Sequence, residues 1–128
     1  GQGEERLEEV FQRFPDLQEK RRERAGNLSG GQQKMLEVAK ALLVRPRLLL
    51  VDEPTVGLAP RVAEFIYEKI ATFPQEGMAI LLVDHNVRQV IRLSRYLYVM
   101  SLGRITAEGP QEQFQAELRH QVKQWLGL

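Results

Sequence analysis

The sequence predicts an α/β fold with parallel strands, and three observations carry that prediction. Two short runs, 47–51 and 79–83, apolar apart from Arg47, are each set off by turn formers: Pro46 and Pro54 flank the first, and Gly77 precedes the second. Five residues are too few for a helix, and unbroken apolarity is the pattern of a parallel strand buried on both faces. Between the runs, Val62, Ile66, Ile70 and Phe73 recur at helical spacing. A strand–helix–strand unit with a right-handed crossover places its strands side by side and parallel. Both runs also end in acids, Asp52-Glu53 and Asp84 beside His85. Those tips fall on one edge of the sheet, the edge at which ligands bind in open α/β folds.

The remaining elements follow in chain order. Leu7, Val10, Phe11 and Phe14 lie at helical spacing, and Pro15 should end that helix by removing an N–H and restricting the residue before it. Segment 18–24 is almost entirely charged or polar and reads as a solvated helix face rather than a docking surface. After Ser29-Gly30-Gly31, the residues Met35, Leu36, Ala39, Leu42 and Leu43 form one apolar stripe, ended by Arg45-Pro46. Past the second strand, Val87, Val90 and Ile91 mark a short helix. Then 96–100 and 104–107 read as a hairpin around Leu102-Gly103. Gly109-Pro110 opens a C-terminal helical region carrying Phe114, Leu118, Val122 and Trp125.

Composition narrows the function. At 128 residues, 43% of them hydrophobic, the chain is long enough for one domain with its own core. Without cysteine it has neither a disulfide framework nor a thiolate metal site, which agrees with a reducing compartment, the cytoplasm by default. No apolar stretch reaches the roughly 18 residues that span a bilayer, and the polar start Gly1-Gln2-Gly3-Glu4-Glu5 is not a signal peptide. A net charge of +1 gives no electrostatic footprint for nucleic acid.

Chemistry concentrates in two places, each with a plainer competing reading. Leu28-Ser29-Gly30-Gly31-Gln32 opens a helix, where unpaired N–H groups and the positive helix end suit an anion, and two glycines let a ligand approach the backbone. The same residues suit an ordinary helix start with Ser29 as N-cap. Asp52 and Glu53 at a strand tip suit Mg²⁺ held through water by one carboxylate while the other activates a water, although solvated loop acids are also common. His85 sits at the second tip, whereas His120 has no such neighbours in the sequence and reads as structural. No Gly-Lys dipeptide occurs, so the phosphate-cradling loop G-x-x-x-x-G-K-[ST] is absent.

Together these residues resemble the ATP-binding subunits of ABC transporters. Leu28 to Gln32 is similar to their signature motif, and Leu48 through Glu53 resembles the Walker B strand. Pro54-Thr55 continues D-E-P-[ST], and Val56-Gly57-Leu58-Ala59-Pro60 stands in the place of the D-loop. Val83-Asp84-His85 resembles the switch-histidine segment and the stretch from Tyr98 to Ile105 the hairpin after it. Gly57-Leu58-Ala59-Pro60 and Asp84-His85-Asn86-Val87 look most like importers of branched-chain amino acids and their urea or amide relatives.

The resemblance implies a partial P-loop NTPase fold of the ABC type, lacking its Walker A half. Segment 1–45 would be a remnant of the helical subdomain with the signature helix, 46–109 the core strands and hairpin, and 110–128 a C-terminal helical region. It implies Mg²⁺ held through water by Asp52, Glu53 as general base, and His85 on the γ-phosphate of ATP. Leu28, Ser29, Gly30, Gly31 and Gln32 would cap the ATP of a second subunit in a head-to-tail dimer, itself docked on transmembrane permease subunits at the inner face of the membrane. Ala59 departs from the D-loop aspartate of many members, which puts dimer coupling through that residue in doubt. The stretch 121–128 reads as a natural C-terminus, placing the missing portion at the front. Such a chain is expected to be inactive alone. The alternative is a non-catalytic interaction module presenting the signature face to a partner ATPase or a membrane subunit. Without the Walker A strand, Ala79–Val83 should also carry an unpaired edge, met by self-association or by 96–100 closing the gap.

Overall fold

The computed structural model describes the backbone of residues 1–125 and the side chains of residues 1–120. It divides into two compact units, Gly1–Val83 and Asp84–Leu128.

The first unit begins with helix α1 (Gln2–Arg13), which stops where Pro15 predicts. Phe14 leaves helical geometry at φ −125° and ψ 73°, and Pro15 then occupies the first turn of the short helix α2 (Pro15–Glu19), where its missing N–H costs no hydrogen bond. Only the first two residues of the charged segment 18–24 are helical; the rest is exposed turn leading to a 3₁₀ turn at Ala25–Asn27. Helix α3 (Gly30–Val44) ends at Arg45 in a left-handed conformation, φ 50°, just before Pro46. Strand β1 (Leu48–Asp52), helix α4 (Pro60–Thr72), a 3₁₀ turn at Phe73–Glu76 and strand β2 (Ala79–Val83) complete the unit. The strands pair in parallel, Leu48 opposite Ala79 through Asp52 opposite Val83.

The core of this unit is a helix-on-sheet layer. Val10, Phe14 and Leu17 meet Met35, Ala39 and Leu42 of α3 and Ile66, Ile70 and Phe73 from the α4 region. Phe14 also meets Phe65 edge to face, with centroids 5.9 Å apart. Leu49, Val51 and Ile80 face this core. Burial of both sheet faces, expected from the unbroken apolar runs, is not realised: Leu48, Leu50, Leu81 and Val83 are 57%, 68%, 52% and 54% exposed. Alternate residues of a strand point to opposite faces, and among the described residues of this unit only one face has helices packed on it.

The second unit contains helix α5 (Val87–Leu93), strand β3 (Tyr96–Ser101), strand β4 (Arg104–Pro110) and helix α6 (Gln111–Trp125). The two strands form an antiparallel hairpin whose turn residues, Leu102 at φ 48° and Gly103 at φ 76°, give the left-handed pair that a two-residue hairpin favours. The second arm runs to Pro110, three residues beyond the expected 104–107, because pairing continues to Tyr96 opposite Pro110. Strands β3 and β4 form a two-stranded sheet of their own, so among the described residues the expectation that 96–100 would close the gap beside β2 is not met. Ile91 and Leu97 are buried, and Gln111 ties the unit together by donating its side-chain N–H to the Ile91 carbonyl at 2.6 Å. Phe114 and Leu118 are half-buried as the α6 stripe requires. The side chains of Val122 and Trp125, and the reading of 121–128 as a C-terminus, lie outside the described residues. Among the described residues no helix is long and apolar enough to cross a membrane.

Candidate functional site

The turn at Leu28 to Gln32 is built by its own side chains. Ser29 is extended, and its hydroxyl accepts a hydrogen bond from the Gln32 N–H at 3.2 Å. The Gln32 side-chain oxygen accepts in return from the Ser29 N–H at 3.0 Å. This reciprocal capping box fixes the start of α3 and satisfies one of the N–H groups that a helix start leaves open. Gln33 adds a third tie by donating to the Leu28 carbonyl at 3.2 Å. The capping reading of this turn is thus realised, with Ser29 and Gln32 serving the helix while Ser29 and Gly30 stay exposed.

The two glycines of the turn have different reasons to be glycine. A Cβ at Gly30 would meet nothing within 4 Å, so this position is open to a ligand. A Cβ at Gly31 would fall 2.8 Å from Val62 Cγ1. Gly31 is thus the point where α3 approaches α4, and its smallness belongs to packing rather than to ligand access.

Asp52 and Glu53 stand at the C-terminal end of β1, as expected. Asp52 is exposed opposite Val83, and the Glu53 N–H extends the ladder by donating to the Val83 carbonyl at 2.7 Å. Glu53 then turns the chain sharply, at φ 46°, a conformation an L-residue adopts at a cost. Two features hold the loop after it. Pro54 is buried, and the Thr55 hydroxyl donates to the hydroxyl of Tyr67, itself buried in α4, at 2.9 Å. The Leu58 N–H closes the loop onto the Thr55 carbonyl at 3.1 Å, and Gly57 supplies the positive φ of 76° that the turn needs. Sequence reasoning passed over Tyr67, although it adjoins Ile66 on the apolar face of α4 and carries a polar tip that must find a partner when buried.

His85 belongs to the second unit, and its side chain is 78% exposed. The Asp84 side chain is almost wholly buried, with one oxygen 4.0 Å from His85 Nδ1, and that oxygen accepts from the Asn86 N–H at 2.9 Å. Asn86 caps α5 by accepting from the Gln89 N–H at 3.3 Å. The histidine thus rides on a turn fixed by its two neighbours. The structure brings Asp52 and Glu53 together at one strand tip and sets Ser29 to Gln32 at the head of a helix in the same unit.

The family described as ABC transporter matches residues 2–56, a span that holds the Ser29 turn, Asp52 and Glu53 but not His85. The chain is 42% identical over 99 residues to the High-affinity branched-chain amino acid transport ATP-binding protein BraG of Pseudomonas aeruginosa, covering 77% of this chain and 42% of that protein. It resembles a nucleotide-free ATP-binding cassette from an ABC transporter with a TM-score of 0.71 at 33% identity, over 89% of this chain and 46% of the other. A dimeric cassette in a post-hydrolysis state, bound to ADP and Pi, aligns with a TM-score of 0.59 at 26% identity, over 67% of this chain and 37% of the other. The chain spans less than half the length of the curated relatives it matches.

Proposed function

Because the chain belongs to the ABC transporter ATPase family, we propose that it is a portion of an ATP-binding subunit that drives uptake of branched-chain amino acids or similar small solutes. The observation that carries this reading is the pairing of Asp52 and Glu53 at the end of a parallel strand with a glycine-rich, capped helix start in the same unit. The branched-chain assignment rests on the name of the relative from Pseudomonas aeruginosa.

The residues fit the groups this function needs. Asp52 presents an exposed carboxylate, suited to a hard cation that keeps its own waters. Bound Mg²⁺ would supply charge neutralisation of the phosphates. Glu53 is half-buried at the strand tip, on a turn with φ 46°, and its carboxylate would accept the proton of an attacking water. His85, exposed on its fixed turn, would donate to a phosphate oxygen. Within the turn Leu28, Ser29, Gly30, Gly31 and Gln32, the backbone N–H groups of Gly30 and Gly31 and the α3 dipole would face the γ-phosphate seated on a second subunit, while Ser29 and Gln32 hold the helix start in place. The open space at Gly30 supports that approach. Working partners would be that second ATP-binding subunit, head to tail, and transmembrane permease subunits, placing the protein at the inner face of the membrane.

No lysine-bearing phosphate loop occurs in the sequence, so this chain alone is expected not to turn over ATP. Phosphate release with Mg²⁺ and ATP tests the reading. The chain alone should be silent, and adding the G-x-x-x-x-G-K-[ST]-bearing half of a branched-chain relative should produce turnover that Glu53→Gln abolishes. Silence in the mixture would favour the non-catalytic interaction module, and turnover that survives Glu53→Gln would remove Glu53 as the base.

A further inference from the structure

A cavity of about 300 Å³ opens at the other end of the sheet from the acidic strand tip. Arg47 lines it and immediately precedes β1, whereas Asp52 ends that strand, so about 16 Å of chain separates the two at 3.3 Å per residue. Its floor is apolar, made by buried Val10, Leu42 and Met78. Its rim is charged: Arg6, Arg13, Arg45 and Arg47 with Glu9 and Glu76.

These charges do not cancel. Glu9 accepts from Arg13 at 3.0 Å and from Arg45 at 2.7 Å, and Arg13 also pairs with Glu76. Two guanidiniums are therefore matched by two carboxylates. Among the described residues the side chains of Arg6 and Arg47 make no hydrogen bond or ion pair, leaving a surplus of two positive charges at the rim. Both are held by rigid backbone. Arg6 stands on α1, one turn before Val10 on the same face, and the Arg47 carbonyl accepts from the Ala79 N–H at 2.8 Å.

An apolar floor under two unmatched guanidiniums recognises one kind of ligand, because guanidinium binds oxyanions in a paired, planar fashion while the floor rewards a short hydrocarbon body. We propose that this pocket is a binding site for a small organic acid, its carboxylate on Arg6 and Arg47 and its apolar chain over Val10, Leu42 and Met78. Such a ligand joins α1, the α3–β1 connection and the turn before β2, so its binding stabilises the first unit from a position remote from the nucleotide chemistry.

Titration of the 128-residue chain with 4-methylpentanoate, followed by methyl and arginine Nε–H NMR signals, tests the site. The expected result is saturable shifts at Val10, Leu42, Met78, Arg6 and Arg47, with binding at least about tenfold weaker for the neutral 4-methylpentan-1-ol. Arg6→Gln with Arg47→Gln should weaken acid binding by about tenfold or more while leaving the remaining methyl spectrum in place. Equal affinity for the alcohol, unchanged affinity in the double variant, or shifts at the arginines without the methyls would each overturn the proposal. So would absence of binding by a chain with well-dispersed core methyls, in which α1, α3 and β2 are packed.

Discussion

Gly31 lies against Val62, so closely that a Cβ at residue 31 would come within 2.8 Å of the valine Cγ1. The neighbouring Gly30 faces open space. Val62 is β-branched and stiff at χ1, and it sits mid-contact between α3 and α4, so it cannot swing away as a long side chain would. Gly31→Ala should therefore destabilise the chain by about 1–3 kcal/mol, the range for overpacking a close contact. Gly30→Ala should be neutral or stabilising by up to about 1 kcal/mol, since glycine is the poorer helix former. Urea unfolding of the two variants separates these outcomes, and equal midpoints would contradict the packing role of Gly31.

Thr55 and Tyr67 tie the loop after Glu53 to helix α4, and both are withdrawn from bulk solvent. Tyr67→Phe keeps the ring and removes one hydroxyl. The expected loss is about 0.5–1.5 kcal/mol, the net worth of a typical hydrogen bond. Amide exchange should speed up at Val56 and Leu58, the N–H groups that close this loop. A variant with unchanged exchange there would show that buried Pro54 alone holds the turn.

Glu53 occupies a left-handed conformation that glycine tolerates without cost. Glu53→Gly should therefore raise stability, or leave it unchanged, while removing the carboxylate proposed as the general base. That combination marks a residue kept for function at the expense of the fold. Thermal unfolding of the Gly variant against Glu53→Ala, which keeps the strain, checks it: the expected order of stability is Gly above Ala.

Arg13 and Glu76 join α1 to the turn before β2. The hydrogen bond from Arg13 holds the Glu76 carboxyl below its ordinary range, with burial opposing and the Arg13 charge assisting. A carboxyl whose folded pKa is depressed contributes stability above its unfolded value, near 4.3, and loses it as pH falls through the folded one. The stability gap between the native chain and Glu76→Gln should be constant from about pH 7 to 5 and begin to narrow below about pH 4. A gap of unchanged size down through the acid range would assign the effect to packing instead.

Much of this was legible because punctuation and period agreed. Pro15, Arg45-Pro46 and Gly77 bound their elements where backbone chemistry requires, and β2 runs Ala79–Val83 as its apolar run predicts. The acidic tip was legible for the same reason, since a strand bounded by prolines can end only there. What was not legible depends on partners distant in sequence. Val62 behind Gly31 and Tyr67 behind Thr55 each lie 12 or more residues away, and nothing local announces them. The exposure of Leu50 and Leu81 was misread because an apolar run reports a surface suited to burial, not which of its two faces finds a cover.

That uncovered face leads to the last prediction. Leu48, Leu50, Leu81 and Val83 are more than half exposed on adjacent, register-paired strands: Leu50 stands directly opposite Leu81, with Leu48 two residues before Leu50 and Val83 two after Leu81. Clustered apolar strand surface attracts other surface of its kind, and among the described residues β2 has β1 as its only strand partner. The chain should therefore self-associate in a concentration-dependent way. Leu50→Thr with Leu81→Thr introduces β-branched residues suited to a strand while making the face polar, so β1 and β2 should stay paired and association should fall. Sedimentation velocity reads both effects: a native chain that remains monomeric across the concentration range would show that the face is not adhesive. Equal association in the double variant would move the contact to the strand edge instead.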